Sequence, residues 1–285
     1  MAVTVSLFSD EEPRYLIPFQ THQEIIIIDT NSKNNRVDMK SVRALLQFTT
    51  ILPLGEPADF DRFAQRSWLY PLAGYVTGAV AALPGLLAWY FGYTGTLVTA
   101  ALTLALVILI TGANHFDGLL DLGDGLMAHG SREKRIAAMT DRTTCAGALA
   151  LGMMIFLITF AGLTSLPPLW IAAAVLCGEV FGKMVMGLFS ALGKPFHEGI
   201  QSYIYEHSKR RFAVYTCTLA FPLLLLPEKI IVAAGFLAAV LVFLVLWSVA
   251  RRCFGGVNGD VTGAGNEIAR AAVAVVSALL FSVCA

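Results

Sequence analysis

Residues Leu97 to Gly130 read LVTAALTLALVILITGANHFDGLLDLGDGLMAHG, an apolar run that passes directly into a segment carrying three aspartates. The first part, Leu97 to about Ala113, approaches the ~20 apolar residues a membrane-crossing helix needs. The second part, from Asn114, has a helical logic of its own. At about 100° per residue, Asp117, Asp121 and Asp124 fall at roughly 0°, 40° and −20° around a helix axis, an arc of about 60°. Carboxylates grouped in this way repel one another. Protonation, basic partners or a hard divalent cation such as Mg²⁺, which also grips substrate phosphates, can offset that repulsion. Gly118, Gly123 and Gly125 are poor helix formers beside the carboxylates, and small residues let a bulky phosphate approach the backbone. The plainer alternative is a solvated acidic helix end at a membrane surface, where interleaved glycines have no purpose.

The composition around this stretch sets the class. Of the 285 residues, 56% are hydrophobic and only 14% charged, and the mean hydropathy is +0.69. These values predict an all-α, polytopic membrane bundle embedded in a lipid bilayer, not a soluble domain. The formal net charge of zero argues against a nucleic-acid partner, since such proteins carry a basic excess. The five cysteines form no CxxC pair, so neither a zinc site nor a disulfide framework is expected. The first 40 residues lack a basic region followed by an apolar core, so no signal peptide is expected there. They read instead as a polar N-terminal extension with one apolar burst, Ile25 to Ile28, suited to a short strand. Residues 41–285 are expected to form a membrane catalytic domain. Nothing in the sequence fixes the oligomeric state, which leaves a homo-oligomer open.

About seven transmembrane helices are expected: Trp68 to Phe91, Leu97 to Ala113, Gly147 to Leu166, Leu169 to Leu192, the short Phe212 to Leu226, Ile230 to Ala250 and Ile268 to Ala285. If these alternate, loops 114–146, 193–211 and 251–267 share one face. That face carries Arg132, Lys134, Arg135, Arg142, Lys194, Lys209, Arg210, Arg211, Arg251 and Arg252, whereas the opposite connections hold only Lys229. The positive-inside rule makes the basic face cytoplasmic in a cell-membrane protein.

Three loops on one face are candidates for one site. Gly255 to Glu267 holds five glycines, two asparagines, Asp260 and Glu267, and such a loop can present backbone N–H groups to a phosphate. Gly193 to Ile200 can offer Lys194 and His197 to anionic groups, or be a solvated interfacial loop. His115 points away from the carboxylate arc, and is either a base or hydrogen-bond donor or a packed polar residue. Glu179 and Lys183, at i and i+4 inside the fourth span, can neutralise one another.

The segment His115 to Gly125 resembles the H-x-D-G-x-x-D-x-x-D-G signature of the cobalamin synthase family, the adenosylcobinamide-GDP ribazoletransferases. Three further stretches are similar to the family in the same order: Leu46 to Pro53, Lys194 to Ile200, and Gly255 to Glu267 with its G-G-x-x-G-D-x-x-G-A-x-x-E pattern. The likeness covers about residues 42–285. The chain departs from the family's D-S-R-x-G, reading Asp141-Arg142-Thr143-Thr144-Cys145. The resemblance implies an enzyme that joins adenosylcobinamide-GDP to α-ribazole or its 5′-phosphate with release of GMP, using Mg²⁺. It implies Asp117, Asp121 and Asp124 as metal ligands, with one of these carboxylates or His115 as base and Asp260 as a further metal or substrate ligand. Lys194, Arg142, Asn258, Gly259 and Asn266 become candidates for the substrate phosphates. Two rival readings are a phospholipid-type alcohol phosphotransferase, whose alanine-arginine pair and longer aspartate spacing are missing here, and a cation transporter lined by intramembrane carboxylates. The second would need its carboxylates near the bilayer midplane.

Overall fold

A computed structural model describes residues 39–284. The polar extension, including Ile25 to Ile28, therefore lies outside the described residues except for its last two, which open the first helix. The helices are α1 (Met39–Thr49), α2 (Phe60–Ala64), α3 (Tyr70–Tyr90), α4 (Thr96–Thr111), α5 (Asn114–Met127), α6 (Arg132–Met139), α7 (Ala146–Thr164), α8 (Pro168–Leu192), α9 (Ile200–His207), α10 (Phe212–Leu219), α11 (Lys229–Cys253) and α12 (Gly259–Cys284). Among the described residues the only extended pairing is an isolated bridge between Pro195 and Val257, so the all-α expectation holds.

Helix α8 forms the axis of the bundle and is buried along almost its whole length. Small residues allow its neighbours to approach, which is how helices associate where lipid removes the hydrophobic drive. A Cβ on Gly74 of α3 would lie 2.6 Å from the Glu179 carbonyl oxygen, and one on Gly85 would lie 2.6 Å from that of Pro168. These contacts lay α3 antiparallel along α8, with α11 and α12 on its other sides. Leu149, Met153 and Leu157 on α7, and Leu237, Leu241 and Leu244 on α11, are exposed. Such outward apolar faces suit a lipid solvent.

Five helices are long and apolar enough to cross a bilayer: α3 with its preceding turn, α7, α8, α11 and α12. Helix α4 qualifies only together with α5, from which it is bent by 93°. The expected span Phe212 to Leu226 is instead the eight-residue α10 followed by a five-residue 3-10 turn, Phe221–Leu225. Together they reach about 22 Å, short of a ~30 Å hydrocarbon core. The break falls where Pro222, continued as α-helix, would clash with the Thr218 carbonyl. About seven spans thus become five, or six with the bent pair.

The last helix also differs from expectation, beginning at Gly259 rather than Ile268. Most of the predicted polar loop is its opening. Asn258 starts it, since its Oδ1 accepts from the Val261 N–H at 3.0 Å and its carbonyl from the Thr262 hydroxyl at 2.9 Å, the work of an N-cap.

The corner between α4 and α5 has a local cause. Gly112 and Ala113 both take left-handed backbone, with φ of 60° and 59°, and the Ala113 N–H returns to the Ile108 carbonyl at 3.0 Å. This is a Schellman-type stop, and it sends the chain off sideways. Helix α5 then meets α7 and α12 at their opening two turns, at Gly147, Gly152, Asp260 and Gly263, and carries α6 against Gly125. It therefore lies on the face that bears the polar loops, outside the spans.

Candidate active site

Close backbone approach assembles the site. A Cβ on Gly118 would lie 2.9 Å from both the Cα and the carbonyl oxygen of Asp260, and one on Gly263 would lie 3.3 Å from the His115 Cα. The first turn of α12 therefore lies against α5, and Asp260 joins Asp117 and Asp121. Asp117 is exposed and Asp121 half-buried. Burial raises the Asp117 carboxyl above its usual range. Asp121 is pushed up to about 7, first by burial and then by the charges of Asp260, Asp117 and Asp124. Asn258 steadies the third member by donating from Nδ2 to the Asp260 Oδ2 at 2.6 Å.

Asp124, grouped with the other two on sequence, is buried and differently employed. Its Oδ2 accepts from the Cys145 N–H and its Oδ1 from the Ala148 N–H, each at 2.8 Å. These are donors at the start of α7 that would otherwise lack partners. Gly123 permits it, since a Cβ there would lie 2.5 Å from the Gly147 carbonyl oxygen. The open acidic face is thus Asp117, Asp121 and Asp260. Among the described residues no three or more His, Cys, Asp or Glu side chains are placed so that together they could hold a metal ion.

The second loop comes alongside as expected. The Val257 N–H donates to the Lys194 carbonyl at 3.0 Å and the Phe196 N–H to the Val257 carbonyl at 3.4 Å. This short ladder leaves the Lys194 and His197 side chains exposed beside the start of α12, with His197 close enough to Asp260 for their charges to interact. Gly259 opens α12 with free space where a Cβ would stand. Arg142 is exposed on the loop before α7, and no described contact ties it to the three carboxylates.

Two predicted residues lie deeper. His115 is buried, and its Nε2 has no hydrogen-bond partner. Asn266 is fully buried and accepts from Lys183 Nζ at 3.0 Å, so it faces the bundle and not the loops. Around it is a network that sequence reasoning only half found. Glu179 accepts from Arg270 Nη1 at 2.6 Å and from the Thr77 hydroxyl at 2.6 Å, while Lys183 stands 3.5 Å from it. Glu267, expected at the membrane surface, is instead buried and paired with Arg270. A lone arginine inside the last apolar segment was the available signal for this partner. Among the described residues the charges of this network are paired with one another, Glu179 with Lys183 and Arg270, and Glu267 with Arg270, so nothing in it favours a transporter.

A sequence profile of the family described as Cobalamin-5-phosphate synthase matches residues 41–278. Similar proteins include an adenosylcobinamide-GDP ribazoletransferase of Methanocella arvoryzae, 36% identical over 262 residues, covering 85% of this chain and 97% of the relative. Another of that name, from Methanococcoides burtonii, is 32% identical over 254 residues, 83% and 90% of the two chains. A third, from Pyrococcus furiosus, is 32% identical over 241 residues, 82% and 98%. No solved structure matches.

Proposed function

Because this chain belongs to the cobalamin-5-phosphate synthase family, we propose that it joins adenosylcobinamide-GDP to α-ribazole or its 5′-phosphate, releasing GMP, the step that completes the nucleotide loop of cobalamin. The observation that carries the reading is the approach of Asp260 to Asp117 and Asp121 across Gly118. An integral membrane protein thereby presents an acidic patch, bordered by Lys194 and His197, at one face.

The donor set fits Mg²⁺. The ion takes oxygen ligands, keeps several waters and is usually held by one or two carboxylates together with substrate phosphates. An open acidic patch suits that habit better than a closed cage does. Asp117 and Asp260 are the residues proposed to hold it, with Asp121 beside them. When bound, Mg²⁺ supplies charge neutralisation at the diphosphate. The remaining work falls to the chain. Lys194, with Arg142 from the loop before α7, binds and orients the diphosphate. Gly259 leaves room for it at the start of α12, where free backbone N–H groups favour anions. Asp121, half-buried beside Asp117 and Asp260 and, among the described residues, without a hydrogen bond to another element, takes the proton of the ribazole hydroxyl as that oxygen attacks phosphorus and GMP departs with the electron pair. His115 is too buried for that task.

The ten basic residues on the site's face make it the cytoplasmic side of a cell membrane. Residues 1–40 are proposed to stand outside the catalytic domain. Purified protein incubated with adenosylcobinamide-GDP, α-ribazole and Mg²⁺ should release GMP, stop on chelation with EDTA and resume when Mg²⁺ is restored. No GMP from folded protein at any Mg²⁺ concentration would remove the proposal.

A further inference from the structure

Asp260 lies on the first turn of its helix, the part that frays most readily. Among the described residues no side-chain hydrogen bond joins α5 to α12, so their close contacts at Gly118 and Gly263 hold Asp260 by packing without a directed bond. The directed bonds to α12 come from α8. Lys183 Nζ donates to Asn266 Oδ1 at 3.0 Å and Arg270 Nη1 to Glu179 Oε1 at 2.6 Å. On each helix the two partners are four residues apart, so the bonds form two rungs between antiparallel helices. A glycine flanks each rung: a Cβ on Gly182 would lie 2.7 Å from Asn266 Oδ1, and one on Gly178 would lie 3.0 Å from Arg270 Cγ. The side chains of Glu179 and Lys183 are fully buried.

Buried ion pairs are poor sources of stability, because desolvation of the two charges offsets their attraction. Their best-attested use is to fix register. The sequence meets that use in both directions. Sliding α12 by one turn would set Arg270 against Lys183, two like charges. Sliding it the other way would set Arg270 against Val175, parting the guanidinium from Glu179 and leaving it Glu267 of its own helix as sole charged partner. Either slip costs several kcal/mol, whereas apolar contacts alone would tolerate intermediate shifts.

We propose that the Lys183–Asn266 and Glu179–Arg270 rungs are a register lock for α12, and that Lys183 is a positioning residue which sets the height at which Asp260 meets Asp117 and Asp121. The inference rests on the function proposed above, with Asp260 holding Mg²⁺. Its test replaces Lys183 with Met, which keeps length and loses the donor while Glu179 retains Arg270 and Thr77. Two readouts are needed: GMP formation, and Mn²⁺ binding followed by electron paramagnetic resonance without substrate. Misplacement of a reacting group by about 1 Å can cost on the order of a hundredfold. Lys183→Met should therefore lose about that much in rate and bind Mn²⁺ about fivefold more weakly, with Lys183→Gln, a shorter donor, falling between it and wild type in both. A lowered melting temperature with wild-type rate and Mn²⁺ affinity in the folded fraction would assign Lys183 to stability alone and overturn the lock. If Lys183→Met does not accumulate, wild-type values of both readouts in Lys183→Gln overturn it equally. Wild-type protein that neither forms GMP nor binds Mn²⁺ would instead defeat the proposed function.

Discussion

Asp117 and Asp124 lie seven residues apart on one helix, and the structure gives them different employment. Asp117 is exposed on the open face, whereas Asp124 spends both oxygens on the start of α7. Asp117→Asn and Asp121→Asn retain size and remove charge at the patch. At Asp117, loss of metal-assisted stabilisation of about 4 kcal/mol corresponds to roughly a thousandfold in rate, and at Asp121 loss of the base costs on the order of a hundredfold or more, so GMP release should fall at least that far in each variant, with normal membrane insertion. Near wild-type turnover with unchanged Mg²⁺ dependence in both would detach the patch from the chemistry. Asp124→Asn can accept only one of its two hydrogen bonds, and should cost about 1 kcal/mol of stability while its Mg²⁺ requirement stays where it was. A shifted Mg²⁺ requirement in that variant would return Asp124 to the ligand set. The sequence could place all three carboxylates on one arc because helical spacing is local information. It could not show that Cys145 and Ala148, 21 and 24 residues further on, would claim one of them.

Elements were legible where length and apolarity alone define them. Helices α3, α7, α8 and α11 lie within three residues of the expected bounds, because about 20 apolar residues have few other options in a bilayer. The α10 segment misled because its composition is apolar while Pro222 limits its geometry. The start of α12 misled because five glycines suggest a loop when read alone, though two of them, Gly263 and Gly265, are contact points with His115 and Phe189. The α4–α5 corner carries its own test. Ala113 has a left-handed φ of 59°, a conformation that costs an ordinary L-residue roughly 1–2 kcal/mol. Ala113→Gly should raise thermal stability by an amount equivalent to about 0.5–1 kcal/mol, and Gly112→Ala should lower it, since a Cβ there would meet Ile51 Cγ2 at 2.4 Å. Equal melting temperatures for the three proteins would show that the corner is not held as described. Gly118→Ala belongs with these variants. Its Cβ would press into the Asp260 backbone, so activity should drop about tenfold or more for a displacement well under 1 Å, measured as GMP release per folded molecule.

At the scale of the molecule, the two faces are unequal. Among the described residues the face with the patch carries α1, α2, α5, α6 and α9 and every long loop, while the other has only residues 91–95, 165–167 and 226–228 as connections. That inequality was readable from charge counting, and it survived the loss of one full span because α10 and its 3-10 turn, though short, still carry the chain from the patch face to residues 226–228 beside Leu169 and Trp170 on the other. Trypsin turns it into a measurement. In sealed vesicles with the patch inward, the only basic residue near the outer connections is Lys229, at the first position of α11, so the chain should survive nearly intact. Inverted vesicles should release fragments cut between Arg132 and Arg142. Equal digestion in both orientations would refute the sidedness. The short outer turns have a further consequence for detection: on the side away from the patch, antibodies or tagging reagents that cannot cross the bilayer would find almost nothing to hold among the described residues, and a membrane could carry this protein in abundance while that surface gave no sign.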